Sequence, residues 1–282
     1  EISPVFRDVD KDGQFHTTSA AFVSLLHNTN KVKVEDAPKT WKALLDPTDV
    51  TSKATLLTAI STARALSNAK DGAMFGPWPR LAALAPGGGV RPVPPSCLVA
   101  GRIAKNESLG MTPNQPAAGD RGILEAAVLL PVNFSEADRN ELNDAGFNVI
   151  SQMNGLIKVY GWRTSVNKTS NPFHWQFGNQ RLYMAISAKA NAIAEKFVLR
   201  EIDGRGLIFK DLQGQLTAML IPYFEAGSLY GDTPEEAFFV DVGQQINTPA
   251  TIANGEIRAA IELTMSPMGE TITIEVVRRL IA

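Results

Sequence analysis

The sequence predicts a mixed α/β fold in two parts, and three observations carry that prediction. Segments 52–70, 134–146, 180–200 and 208–225 read as helices, by apolar spacing or by their caps. Apolar runs of strand length, alternating or continuous, stand at 97–104, 156–161, 238–242, 256–263 and 271–281. No internal repeat is visible, and the 282 residues are 44% apolar and 20% charged, an ordinary balance for a chain that buries a core. The organisation changes around residue 168, so residues 1–168 and 169–282 are expected to form separate parts.

In chain order, Asp8, Asp10 and Asp12 followed by Gly13 open like a calcium-binding loop. The twelfth position, where a bidentate glutamate belongs, is Ser19. Pro4 and the β-prone Val5-Phe6 leave no entering helix, so a polar turn after a first strand is expected, not an ion site or a calcium-regulated binding module. AAFVSLLH at 20–27 is apolar enough to be buried, and KVKVEDAP at 31–38 alternates like a short strand ending at Pro38. In 52–70, Leu56, Ile60 and Ala63 share one helical face.

APGGGVRPVPPS at 85–96 has linker or surface-loop composition and excludes a helix or a central strand. No Gly-Lys-Ser/Thr follows its glycines, which argues against a phosphate-cradling loop. CLVAGRIA at 97–104 is then expected as a strand. In 134–146, Ser135 is placed as an N-cap with Asp138 three residues on, and Gly146 as a left-handed stop. LIKVYG at 156–161 reads as a strand. Two longer helices follow, marked by Leu182, Ile186, Ala190, Ile193 and Phe197, then by Leu212, Leu216, Met219 and Tyr223. Thr233, Pro234, Glu235 and Glu236 form a helix start. FFVDV at 238–242 and the alternating EIRAAIEL at 256–263 are strands. TITIEVVRRLI at 271–281 alternates again, and a terminal strand this β-prone needs an edge to pair with, in its own sheet or in another subunit.

Several function classes are disfavoured by composition. With 27 basic and 29 acidic residues the net charge is −2, which leaves no basic surplus for nucleic acid. No apolar run reaches the ~18 residues of a membrane span. Cys97 is the single cysteine, so no intramolecular disulfide forms, which fits a reducing compartment or assembly inside a cell. His16, His27 and His174 lie at no metal-ligand spacing, and no G-x-S-x-G elbow is present. A hydrolase is therefore the weaker alternative, and no catalytic residue, cofactor or metal is expected.

FGPW at 75–78, RPVPPS at 91–96 and VAGRIA at 99–104 are followed in order by QPAAG at 115–119, LNDAGFNVI at 142–150 and VYGWRT at 159–164. GSLYGDTPEEAFFV at 227–240, Asn247-Thr248 and NGEIRAAIEL at 254–263 complete the series. In this order and spacing the chain resembles the tail sheath proteins of contractile bacteriophages and related contractile injection systems. It departs from the family's usual pattern at Tyr160–Thr164 and at Met268–Thr271.

The resemblance implies a subtilisin-like α/β layer without the protease triad in residues 1–168, then an α+β sheath domain in 169–282 that ends in an extended β-arm. It implies a structural role: a helical homopolymer around a tail tube, in contact with a baseplate and a tail terminator, that contracts to drive the tube through a cell envelope. The implied setting is a virion tail assembled in the bacterial host cytoplasm, or a non-viral, pyocin-like device. It implies further that the chain is the conserved C-terminal part of a longer protein, with outer domains before Glu1. The inter-subunit arm would be Thr271, Ile272, Thr273, Ile274, Glu275, Val276, Val277, Arg278 and Arg279. Lys189, Glu195, Lys196 and Arg200, on the polar side of the 180–200 helix, would serve tube or subunit contacts.

Overall fold

The computed structural model describes residues 52–65, 69–82 and 89–267. The acidic loop at 8–19, the apolar run at 20–27, the strand expected at 31–38, His16, His27 and the arm at 271–281 lie outside the described residues. The chain divides into two compact units, Glu1–Ala185 and Ile186–Ala282. The division falls inside a helix, whereas position 168, where the sequence changes character, lies in the loop before it.

In the first unit, α1 (Lys53–Arg64) forms within the segment 52–70 expected to be helical but stops at Arg64, and a separate 3-10 turn covers Ala69–Asp71. Leu56, Ala59, Ile60 and Ala63 recur at helical spacing and are all buried. They share one core with Met74, Phe134, Leu142, Phe147 and Val149. Fully burying Leu56, Ile60, Leu142 or Phe147 contributes about 1.5–3 kcal/mol each. β1 (Met74–Gly76), β2 (Arg80–Ala82) and β3 (Val90–Pro92) follow. β3 sits at the edge of a three-stranded sheet, the place a proline-bearing strand tolerates.

The strand expected at 97–104 is instead part of α2 (Pro95–Ser108). One local and one longer-range cause override the short apolar run. Pro95 occupies the first helical turn, where its missing N–H costs nothing. Arg102 and Lys105, three apart on one helical face, both reach Glu125, at 3.2 and 2.7 Å.

β4 (Ala127–Leu129) completes the sheet β3-β2-β4. α3 (Glu136–Asp144) starts as predicted, with the Ser135 hydroxyl accepting from the Asp138 backbone N–H at 3.2 Å. It stops at Gly146, whose φ of 90° suits glycine. β5 (Phe147–Met153) and β6 (Leu156–Tyr160) form an antiparallel pair, and β1 joins β5 in parallel. Asn148, fully buried, ties this sheet together. Its Nδ2 donates to the carbonyls of Met74 (2.9 Å) and Arg163 (2.8 Å), and its Oδ1 accepts from the Arg163 N–H (2.6 Å). A one-turn helix α4 (Pro172–Trp175) leads into α5 (Phe177–Glu195).

The second unit opens with the C-terminal part of α5. This helix ends at Glu195, not at 200: the Lys196, Phe197 and Val198 N–H groups bond three residues back, in turns, and Leu199 then takes a left-handed backbone with φ 63°. Asp203 then starts α6 (Leu207–Glu225) by accepting from the Leu207 and Ile208 N–H groups at 2.9 and 3.4 Å. Burial pushes the Asp203 carboxyl up, but bonds from Leu207, Ile208 and Arg205 N–H leave it below the ordinary value. The buried stripe of α6 is Ile208, Leu212, Leu216, Leu220 and Tyr223. The expected helix start at Thr233 yields the short α7 (Pro234–Ala237). β7 (Phe238–Asp241), α8 (Pro249–Ala253) and β8 (Ala260–Leu263) complete the described chain. The strand expected over 256–263 thus keeps regular pairing only in its last four residues.

Candidate functional site

The second unit presents a strand edge that is held in place and that no described residue covers. Its foundation is Asn247, which is 2% exposed. The Asn247 Nδ2 donates to the carbonyls of Val242 (3.0 Å) and Arg258 (2.8 Å), and its Oδ1 accepts from the Arg258 N–H (2.8 Å). Thr248 caps α8 by accepting from the Thr251 N–H. The side chain of Asn247 therefore extends the pairing of the β7–β8 ribbon beyond the last backbone pair and fixes the approach of 256–259 to β8.

β7 and β8 are antiparallel, with Phe238 opposite Leu263 and Asp241 opposite Ala260. The Thr264 N–H donates to the Ala237 carbonyl at 2.9 Å. Antiparallel ladders alternate between hydrogen-bonded and non-bonded pairs. It follows that Glu262 and Ala260 face β7, while the backbone groups of Ile261 and Leu263 turn to the opposite edge. The same alternation turns Val240 away from β8, and there the Gln213 Nε2 donates to its carbonyl at 2.9 Å. One edge of the ribbon is thus blunted by a side chain of α6. Among the described residues, β8 pairs with β7 alone, and the edge at Ile261 and Leu263 stays open.

Beside that edge lies a groove of about 1250 Å³. It is lined by Ala188, Ala192 and Glu195 of α5, by Ile257 and Ile261, and by the buried Leu212 and Leu216 of α6. The turn after α5 adds Val198 and Leu199, which are 65% and 100% exposed. This is an apolar trough running beside unpaired backbone, the form that accepts an added strand: backbone bonds at the edge, alternate side chains into the trough.

The four charged residues proposed from sequence are distributed as follows. Glu195 and Arg200 both line the groove. Arg200 pairs with Asp211 at 2.9 Å, and its guanidinium stacks 4.8 Å from the centre of the Phe197 ring. The Asp211 carboxyl is held below its ordinary value by bonds from Gln215 and Arg200. Lys189 places its Nζ 4.8 Å from the centre of the Tyr223 ring. Lys196 is exposed and makes no ion pair among the described residues. The open edge itself was not singled out from sequence, although the alternation at 256–263 marks the strand that carries it. No cluster of histidine, cysteine and carboxylate side chains among the described residues is arranged to hold a metal ion. No described helix is long and apolar enough to cross a membrane.

No protein-family model and no curated protein sequence matches the chain. Solved structures do. A chain of the 6-fold symmetrised baseplate of the anti-feeding prophage matches with TM-score 0.64 and 20% identity over 81% of this chain and 66% of that one. The sheath complex of the extracellular contractile injection system PVC, in its contracted state, matches with TM-score 0.66 and 20% identity over 81% of this chain and 61% of that one. The contracted helical sheath of the anti-feeding prophage matches with TM-score 0.60 and 23% identity, over 73% and 56%. The chain therefore has the fold of contractile sheath chains and spans less than two thirds of the length of these structures.

Proposed function

We propose that the chain is a structural subunit of a contractile sheath, in a bacteriophage tail or a related injection device. The observation that carries this reading is the open β8 edge beside an apolar groove, in a chain with the sheath fold. A subunit that must grip its neighbours while the lattice rearranges needs a linkage that survives rotation. Backbone pairing between an arm and an edge provides one, because the arm flexes while the ladder persists.

In this reading the arm Thr271–Arg279 of one copy pairs with β8 of another. From Ala260 to Leu263 the edge is four residues long, roughly 13 Å at the rise of an extended strand. Ile272, Ile274 and Val276 alternate along the arm and fit the groove with their apolar side. Lys189, Glu195, Lys196 and Arg200 would serve contacts with the tail tube or with neighbouring subunits; Glu195 and Arg200 lie at the groove where such contacts would meet the arm. The parallel β1–β5 pair flanked by α1 and α3 would belong to a subtilisin-like layer without catalytic residues. The homopolymer would surround a tube and meet a baseplate and a terminator, within a particle tail assembled in the host cytoplasm. Energy stored in the assembled lattice, not nucleotide turnover, would drive contraction.

The test is negative-stain electron microscopy of the chain with and without residues 271–282. The reading expects ordered polymers from the intact chain and dispersed, folded particles after truncation. Equal polymerisation by both would remove the arm from the mechanism.

A further inference from the structure

We propose that the first unit carries an oxyanion receptor, built at the end of α1 and independent of the sheath assignment. A pit of about 220 Å³ is lined by Arg64, Lys70, Asn167, Ser170 and Asn171, over Ala69 and Val166. Ala69 and Val166 form a small apolar cluster with Trp175 that gives the pit a fixed floor. Among the described residues the lining contains no carboxylate.

The side chains that line the pit bring a guanidinium, an ammonium, two amides and a hydroxyl, all able to donate. Arg64 is anchored, since its Nη2 donates to the Ala145 carbonyl at 2.5 Å. Its Nε is buried and has no hydrogen-bond partner. A buried donor left unbonded costs about 1–3 kcal/mol, and such groups in native structures commonly mark a missing ion or water. Lys70 makes no ion pair among the described residues. Asp71, its neighbour in sequence, is engaged instead by the Gln180 Nε2 at 2.8 Å. Asn167 uses its Oδ1 to accept from the Thr169 N–H at 2.8 Å, and its Nδ2 has no partner among the described residues. The loop that carries these amides is closed by a bond from the Asn171 N–H to the Asn167 carbonyl at 2.9 Å.

A guanidinium, an ammonium and neutral donors around a pit of this volume match the chemistry of a small oxyanion. Two sources share that chemistry, a free inorganic oxyanion such as phosphate and a carboxylate. The pit has room for either with accompanying water.

The test is calorimetric titration of the intact chain, at constant ionic strength, with inorganic phosphate and separately with acetate. Lys70→Ala and Ser170→Ala are the test variants, and Lys210→Ala, in the other unit, is the control. Circular dichroism checks that each variant is folded. Saturable phosphate binding, weakened about tenfold by Lys70→Ala and unchanged by Lys210→Ala, identifies a free oxyanion. Saturable acetate binding without phosphate binding, with the same dependence on Lys70, identifies a carboxylate receptor. Absence of saturable binding to both probes, or binding indifferent to both test variants, overturns the proposal.

Discussion

Asn148 and Asn247 do the same work in the two units. Each is buried, and each side chain donates to two backbone carbonyls and accepts from one N–H. Replacing Asn148 by alanine leaves the Met74 carbonyl and both backbone groups of Arg163 without these partners. Asn148→Ala should lower stability by about 2–4 kcal/mol, measured by denaturant unfolding, whereas an exposed asparagine such as Asn191 should be replaceable at little cost. Gly161 is a second sensitive point. A Cβ there would meet the Asn143 Oδ1 and approach the Asn148 Cα to 3.1 Å, so Gly161→Ala should cost about 1–3 kcal/mol in the same assay. These positions stand inside the segments LNDAGFNVI, VYGWRT and the Asn-Thr pair that carry the family resemblance. The resemblance located them, but their role was not legible. Asparagine read alone suggests a turn. Its use as a buried clamp appears only when a partner 74 positions away, Met74, is brought beside it.

Among the elements, legibility followed the strength of local punctuation. α3 has a capping serine and a terminal glycine, and its bounds were readable to within a residue or two. α2 was misread as a strand because CLVAGRIA is short and apolar on its own, and its helical supports, Pro95 and the distant Glu125, lie outside that run. α1 and α3 are joined by Lys53, whose Nζ lies 2.7 Å from Asp138 and 2.8 Å from Glu141. The Asp138 carboxyl is held below its ordinary value by its bond with Lys53 and then by Ser135, while the two carboxylates raise the Lys53 ammonium. A lowered acid stabilises the fold above its unfolded pKa and loses that contribution as pH falls through the folded value. A raised base stabilises below its unfolded pKa and loses that contribution as pH rises through the folded one. The clamp is therefore complete between about pH 4 and 10. Lys53→Met should lower the melting temperature modestly at pH 7, and the gap from the unmutated chain should close on acidification below about pH 4.

At β8 the ladder phase separates folding from assembly. The Ile261 N–H faces the open edge, so Ile261→Pro should leave the ribbon paired and the chain folded while it abolishes strand addition. The Glu262 N–H faces β7, and Glu262→Pro should destabilise the second unit itself. Circular dichroism and sedimentation of the two variants would distinguish these outcomes.

For the molecule as a whole, two compact units are joined through α5, and the second offers an edge and a groove suited to another chain. The mixed α/β class was readable from periodicity, since helix and strand periods are local properties. The open edge was not, because edge and interior strands of one ribbon share the same alternation and differ only in what covers them. Here Gln213 covers β7 and no described residue covers β8. The central claim is that copies of this chain link through residues 271–279 and the β8 edge. The most direct measurement is a disulfide cross-link in a Cys97→Ser background, with Ile261→Cys and, in turn, cysteine at Ile272, Ile274 or Val276. The account predicts a ladder of covalent oligomers on oxidation for at least one of these pairs, lost when Leu263→Pro, which removes an N–H from the same open edge and leaves both cysteines in place, is added. Monomers alone from all three pairs, under conditions where the chain polymerises, would contradict it.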